Sequence, residues 1–169
     1  MYKIAIVIPT LNEEKFIAQC LDCVIRQTFP FTAIDLMVVD GGSNDRTKSI
    51  VEKYQKRYSN IRFIHNPGRI QSIAFNIGVE NSDAPYIVRL DAHALYSMDY
   101  IEKCIDGLQN DSQIGNVGGR CNILPFNDTL WAKTNAILNY SRFGIGGSAG
   151  GLFRQLLYPW RSYSSCYSE

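Results

Sequence analysis

The sequence predicts an α/β domain in which a mostly parallel sheet is covered by helices on both faces. Three observations carry this. Short β-branched apolar runs alternate with segments of helical period. Those runs are nearly continuous rather than alternating, which is the pattern of strands buried on both faces. The chain has 169 residues, 46% hydrophobic and 20% charged. That suits one domain able to bury roughly 70% of its unfolded surface without a disulfide or metal staple.

Each element follows from its local pattern. Lys3–Ile8 is the first strand. Asn12 is placed to cap a helix with Glu13 and Glu14 in its first turn, the favourable sign for the helix dipole. Phe16, Ile17, Cys20, Leu21 and Val24 then recur at helical spacing to about Gln27. Ile34–Val39 is the second strand, and Ser43, Asn44 and Asp45 lead into a helix over Arg46–Tyr58. Ile61–His65 and Tyr86–Leu90 are the third and fourth strands, with a helix over Ile70–Asn81 between them. A helix over Met98–Gln109 and a fifth strand over Ile114–Gly118 follow, then a helix over Thr129–Tyr140. Residues 1–140 are expected to form the domain. Residues 141–169 contain GIGGSAGG and end in RSYSSCYSE, and read as a glycine-rich loop with an irregular tail.

Composition removes several functions. A net charge of +1 does not suit a dedicated binder of nucleic acid. The first apolar run stops at Pro9, too short for a signal peptide core or a membrane span. Five cysteines without a tight framework fit a reducing compartment, so the expected location is the cytoplasm. Cys20 and Cys23 sit at i and i+3 with no second pair, which favours a half-buried helix face over a zinc site. Cys104 and Cys121 read as small core residues, and Trp131 as a packed aromatic.

The polar residues at strand ends are more informative. Pro9 and Thr10 end the first strand, Asp40 the second, His65 and Asn66 the third, and Asp91 the fourth, with His93 two residues on. In a parallel sheet these positions share the carboxyl edge, where ligands bind. The first turn reads PTLNEE and lacks the glycines of a dinucleotide fingerprint. Gly144–Ala149 has the spacing but follows no strand, and no P-loop motif occurs. A nucleotide would therefore be held by Asp40 and Asp91. Asp91 and His93 alternate onto one side, a plausible half-site for a divalent cation.

IVIPTLNEE, VVDGGSNDRT and YIVRLDAHA, in that order, resemble the nucleotide-side motifs of family 2 glycosyltransferases. The likeness runs from about Tyr2 to Arg154 and is greatest to bacterial exopolysaccharide glucosyltransferases of the succinoglycan type, whose metal motif often reads D-A-H-A. It implies a three-layer GT-A fold whose C-terminal part is incomplete here. It also implies a nucleotide-sugar donor, with UDP-sugar as the expected class, and transfer with inversion to a glycan or lipid-linked acceptor in surface polysaccharide synthesis. By the same resemblance, Pro9 and Thr10 would line the nucleotide pocket, Glu13 would sit near base or ribose, and Asp40 would bind uracil. Arg69 would approach base or diphosphate, Asp91 would bind ribose and metal, and His93 would stand on the metal in place of an aspartate. The cofactor implied is Mn²⁺ or Mg²⁺, and a peripheral contact with the inner membrane is the further partner expected.

One component is missing. Inverting transfer needs a carboxylate to deprotonate the acceptor hydroxyl. After His93 the acids are Asp99, Glu102, Asp106, Asp111, Asp128 and Glu169, and none forms an E-D pair. The expected base therefore lies beyond residue 169, as in a truncated chain. Two rival readings remain: a nucleotide-binding remnant with weak or no transfer activity, and a nucleotidyltransferase, whose glycine-rich basic first loop PTLNEE lacks.

Overall fold

A computed structural model of the chain describes residues 3–111, 113–119, 125 and 128–138. Four strands, β1 (Ile4–Thr10), β2 (Ile34–Asp40), β3 (Ile61–His65) and β4 (Tyr86–Arg89), form one parallel sheet in the order β3-β2-β1-β4. The helices are α1 (Ile17–Ile25), α2 (Thr47–Gln55), α3 (Gln71–Glu80), α4 (Tyr100–Asn110) and α5 (Leu130–Leu138).

Strand alternation divides the core in two. On one face Ile4, Ile6 and Ile8 of β1, with Leu36 and Val38 of β2, pack against Ile17 and Leu21 of α1, Val51 of α2 and Ile101 and Ile105 of α4. On the other, Ala5 and Val7 with Met37 and Val39 meet Ala74 of α3. Every residue of β1 and β2 is buried, which explains their nearly continuous apolar runs, interrupted in β2 by Asp35, which pairs with Arg62 at 2.7 Å. Each large aliphatic side chain so buried contributes about 1.5–3 kcal/mol. Gly78 lets α3 approach the sheet: a Cβ there would lie 2.6 Å from Val7 Cγ1.

The order of strands follows from two opposite windings. From β1 the chain steps to β2 and β3 in one direction, with α1 and α2 on one face. It then crosses through α3 on the opposite face to place β4 on the far side of β1. Right-handed crossovers require this change of face when direction reverses. The reversal makes the β1–β4 crevice the switch point of the sheet. Pro9 keeps that crevice open. The ladder runs from Ile4–Tyr86 to Val7–Arg89, with a last bond from Leu90 N to Val7 O. The next donor on that side of β1 is Pro9, which has no N–H, and pairing stops.

Three expectations are corrected. Asn12 does not cap α1: its φ is 59°, the helix starts at Ile17, and Glu13 and Glu14 precede it. The turn's amides find acceptors on a neighbouring loop instead, as described below. Ile114–Gly118 is not a strand; glycines at 115 and 118 leave few side chains to pack, and Val117 seats against Gly107 of α4. Trp131 is not packed but 76% exposed, because no described element covers the apolar residues of α5. Cys20, Cys23 and Cys104 are buried, and burial pushes the Cys20 thiol up to about 12. Cys121, residues 144–149 and the tail lie outside the described residues.

Candidate functional site

The four strand ends meet two crevices, one on each side of β1. In the β1–β2 crevice Thr10 and Asp40 are in register. Asp40, 4% exposed, has both carboxylate oxygens engaged. Oδ1 accepts from the Thr10 hydroxyl at 3.1 Å and from the Ser43 hydroxyl. Oδ2 accepts from the amides of Gly42 at 2.9 Å and Ser43 at 2.8 Å. A carboxylate has about four acceptor positions, so this one is saturated. A base at Asp40 must displace a hydroxyl. Gly42 turns through φ 85°, the left-handed conformation that points its amide back at Asp40.

Around Asp40 two loops are tied together. Asn12 N donates to Ser43 Oγ (2.8 Å), and Asn44 N to Asn12 Oδ1 (2.9 Å). Glu13 N donates to Thr47 Oγ1 (2.9 Å), and Glu14 N to Asp45 Oδ2 (3.0 Å). In return Arg46 gives its amide and its Nε to Glu14 Oε2, both at 3.1 Å. The amides of this turn are thus capped by residues 31 and 34 positions away. Asp45 also accepts from the Thr47 amide and hydroxyl. Burial pushes its carboxyl up, but the bonds from Thr47 and Glu14 prevail and hold it below the ordinary value of 3.8. Glu14 is likewise held below 4.5, first by the Arg46 amide and then by its side chain.

The β1–β4 crevice is different. Asp91 Oδ1 accepts from Gln71 Nε2 at 3.1 Å and from Arg89 Nη2 at 3.0 Å, while Oδ2 has no partner among the described residues. Its amide donates to Tyr96 Oη at 2.7 Å. Burial raises the Tyr96 hydroxyl's pKa. His93 Nδ1 lies 3.2 Å from Glu13 Oε1, a contact that spans the switch point. The imidazole side chain is 59% exposed and the carboxylate 19%. Pro9 is buried at the base of the cleft.

Arg69 sits above the end of β2, where a Cβ on Gly41 would lie 3.3 Å from its Cα. Its φ of 57° follows from a tight loop. Buried Asn66 accepts the Gly68 amide and donates to the Ile70 carbonyl, and its own amide donates to Asp40 O at 2.7 Å. All seven expected site residues therefore lie along one edge, in two groups. Pro9, Thr10, Asp40 and Arg69 flank the first crevice, and Glu13, Asp91 and His93 the second, with Pro9 and Thr10 between them.

Sequence reasoning missed Gln71, Arg89, Asp45 and Thr47. Arg89 was accessible, because Arg89 and Asp91 are two apart on an extended segment and face one way. Asp45 and Thr47 signal a helix start, but nothing local shows that they cap a different helix. Gln71 opens α3 and carries no sequence signal.

Among the described residues no group of three or more His, Cys, Asp or Glu side chains is arranged to hold a metal ion. Asp91 Oδ2 and His93 Nε2 are unengaged there, which fits a cation that takes its other ligands from phosphate oxygens and water. Of the acids on or near α4, Asp99 pairs with Lys103 at 2.6 Å, and Glu102 accepts from Thr28 at 2.6 Å.

Comparison with known proteins gives the family and the fold. Residues 5–157 match the family described as Glycosyl transferase family 2. Over 152 residues the chain is 32% identical to a dolichyl N-acetyl-alpha-D-glucosaminyl phosphate 3-beta-D-2,3-diacetamido-2,3-dideoxy-beta-D-glucuronosyltransferase of Methanococcus voltae, covering 86% of this chain and 46% of that protein. Over 146 residues it is 33% identical to the succinoglycan biosynthesis protein ExoA of Rhizobium meliloti (strain 1021), covering 85% and 43%. Among solved structures, the mannosyltransferase PcManGT from Pyrobaculum calidifontis, in complex with GDP-Man and Mn²⁺, superposes with a TM-score of 0.59 at 24% identity, over 63% of this chain and 32% of that one. S. aureus TarS gives 0.58 at 24% identity, over 64% and 32%. These likenesses show the GT-A fold. The chain spans less than half the length of these relatives. With the family matched over most of its residues and two curated relatives above 30% identity, the chain belongs to glycosyl transferase family 2.

Proposed function

We propose that this domain binds a nucleotide-diphosphate sugar at the carboxyl edge of the sheet, as the donor half of an inverting glycosyltransferase. The observation that carries this is the Glu13–His93 contact across the β1–β4 switch point, beside an Asp91 oxygen free to take a ligand. Ligands of open α/β sheets bind where strand order reverses. Nothing in a plain structural domain requires an acid, an imidazole and a second acid to converge there.

UDP-sugar is the donor class proposed. In support, S. aureus TarS has been solved with UDP and with UDP-GlcNAc. The nucleoside would lie across the β1–β2 crevice against Thr10 and Asp40, with Arg69 above it and the diphosphate running toward Asp91. Asp91 and His93 would hold the cation, Mn²⁺ or Mg²⁺, and Mn²⁺ suits an imidazole better. The cation supplies charge neutralisation to the departing nucleoside diphosphate. As the sugar C1–oxygen bond to the phosphate breaks, a carboxylate takes the proton of the acceptor hydroxyl attacking from the opposite face. The acceptor class is a glycan or lipid-linked glycan of surface polysaccharide synthesis, met at the cytoplasmic face of the membrane. No helix among the described residues is long and apolar enough to cross a membrane.

A second reading is a donor-binding domain that transfers nothing by itself. The engagement of Asp99 and Glu102 favours it, since neither is free to act as base. Calorimetry of the full chain with UDP, with and without Mn²⁺, tests the common part. Binding strengthened by Mn²⁺ is expected, and no binding under either condition sinks both readings. Turnover of a UDP-sugar with acceptor, above its hydrolysis, then separates enzyme from binding domain.

A further inference from the structure

We propose that Glu13 is a positioning residue for His93: its carboxylate holds the proton on Nδ1 and so turns the Nε2 lone pair toward the cation beside Asp91. The inference deepens the proposed donor site and rests on it.

Glu13 Oε1 faces Nδ1 at 3.2 Å. An ionised carboxylate only accepts, so Nδ1 carries the hydrogen of this contact, and in the neutral ring Nε2 is then the bare nitrogen. That is the outer-shell arrangement by which carboxylates fix the tautomer and ring plane of metal-binding histidines. His93 needs such help. It is 59% exposed on a loop, and Glu13 is its one side-chain hydrogen-bond partner among the described residues.

Glu13 itself stands on a rigid base. Its amide donates to Thr47 Oγ1 at 2.9 Å, and its carbonyl accepts from the amides of Phe16 at 3.0 Å and Ile17 at 2.9 Å. Thr47 is fully buried, and its hydroxyl donates in turn to Asp45. Both backbone groups of Glu13 are thus fixed, and its side chain is four-fifths buried. The start of α2 is therefore linked to His93 through Thr47 and Glu13.

Two measurements on the full chain test this. The first is the ¹⁵N spectrum of the His93 ring without metal at about pH 9, above the ordinary imidazole range. The Nδ1–H form is expected in the wild type and in Glu13→Gln, whose amide oxygen still accepts. The Nε2–H form is expected in Glu13→Ala, with unchanged circular dichroism as the check on folding. A wild-type ring in the Nε2–H form overturns the proposal.

The second measurement is Mn²⁺ affinity with UDP present, read as free Mn²⁺ by electron paramagnetic resonance. Glu13→Ala is expected to weaken binding about 10-fold to 100-fold, the usual cost of losing an outer-shell partner. Glu13→Gln should recover most of it. In a His93→Ala background Glu13→Ala should cost nothing further, because the effect runs through the imidazole. Equal losses in both backgrounds mean that Glu13 acts on the cation directly, and overturn the proposal. Asp91→Asn keeps the two failures apart. If it abolishes Mn²⁺ binding while Glu13→Ala does not weaken it, the donor site stands and the role of Glu13 falls. If the wild type binds no Mn²⁺ with UDP, or Asp91→Asn binds it equally well, the donor site itself falls and takes this inference with it.

Discussion

The two crevices beside β1 present the same sequence feature, an aspartate at the end of a strand, in opposite physical states. Asp40 is 4% exposed and all its acceptor positions are filled by Thr10, Gly42 and Ser43. The Asp91 side chain is 39% exposed, shares one oxygen between Gln71 and Arg89, and keeps the other open. One carboxylate organises a loop; the other is available to a ligand. Strand order explains the difference. The β1–β2 crevice lies between strands wound the same way, so their loops run side by side and tie together. The β1–β4 crevice is the point of reversal, where pairing stops at Pro9 and the Glu13–His93 contact spans the gap.

The largest test of this contrast is Asp40→Ala. It strips acceptors from two amides and two hydroxyls around a buried carboxylate in a half-buried turn. The hydroxyls can rotate, but the amides of Gly42 and Ser43 point inward at the Asp40 side chain. With each unsatisfied buried group costing about 1–3 kcal/mol, a loss of about 3 kcal/mol is expected in urea denaturation. A loss below about 0.5 kcal/mol would mean that the turn holds without Asp40, and the two aspartates would then be alike.

Breaking the tie between the loops is expected to cost less. Asp45→Ala removes the acceptor for Glu14 N and for the Thr47 amide and hydroxyl, at about 1–2 kcal/mol, the range for losing a helix cap. The same bond set predicts an acid limb. The folded carboxyls of Asp45 and Glu14 are held below their ordinary values of 3.8 and 4.5, so the unfolded chain takes up these protons first. Their contribution is complete above about pH 5 and is lost as pH falls through the lowered folded values. Denaturation midpoints at stepped pH should fall more steeply for the wild type than for Asp45→Ala below about pH 4. Parallel curves would show that the tie is not held by charge.

How much of this was legible in the sequence divides along the same line. The strands were, because an unbroken run such as Ile4–Ile8 reports burial on both faces directly. So was the gathering of the candidate residues at one edge, since a strand end is a local feature: Thr10 and Asp40 close their strands and Asp91 follows two residues after β4. The first helix start was misread for a physical reason. Asn12, Glu13 and Glu14 form a sound local cap, but Ser43, Asp45 and Thr47 offer their acceptors from the adjacent loop and win. Capping across loops depends on which strands are neighbours, and no window of sequence contains that. The fifth strand failed for want of side chains at Gly115 and Gly118. Trp131 failed because packing of an aromatic is decided by what covers it.

The smallest expected effect gives the sharpest contrast. Asp91→Asn keeps the shape of the side chain and an acceptor for Gln71, and loses only the charge opposite Arg89. Arg89 and Asp91 are 46% and 39% exposed, and pairs so open to water contribute about 0–1 kcal/mol. Urea denaturation should therefore place the variant within about 0.5 kcal/mol of the wild type, while calorimetry shows Mn²⁺-dependent UDP binding reduced tenfold or more. Asp40→Ala cannot separate these quantities, because its turn and its ligand edge are one structure. A fall in stability for Asp91→Asn comparable with that of Asp40→Ala would make Asp91 another organiser of the fold, and the crevice at the switch point would lose its claim to be the open one.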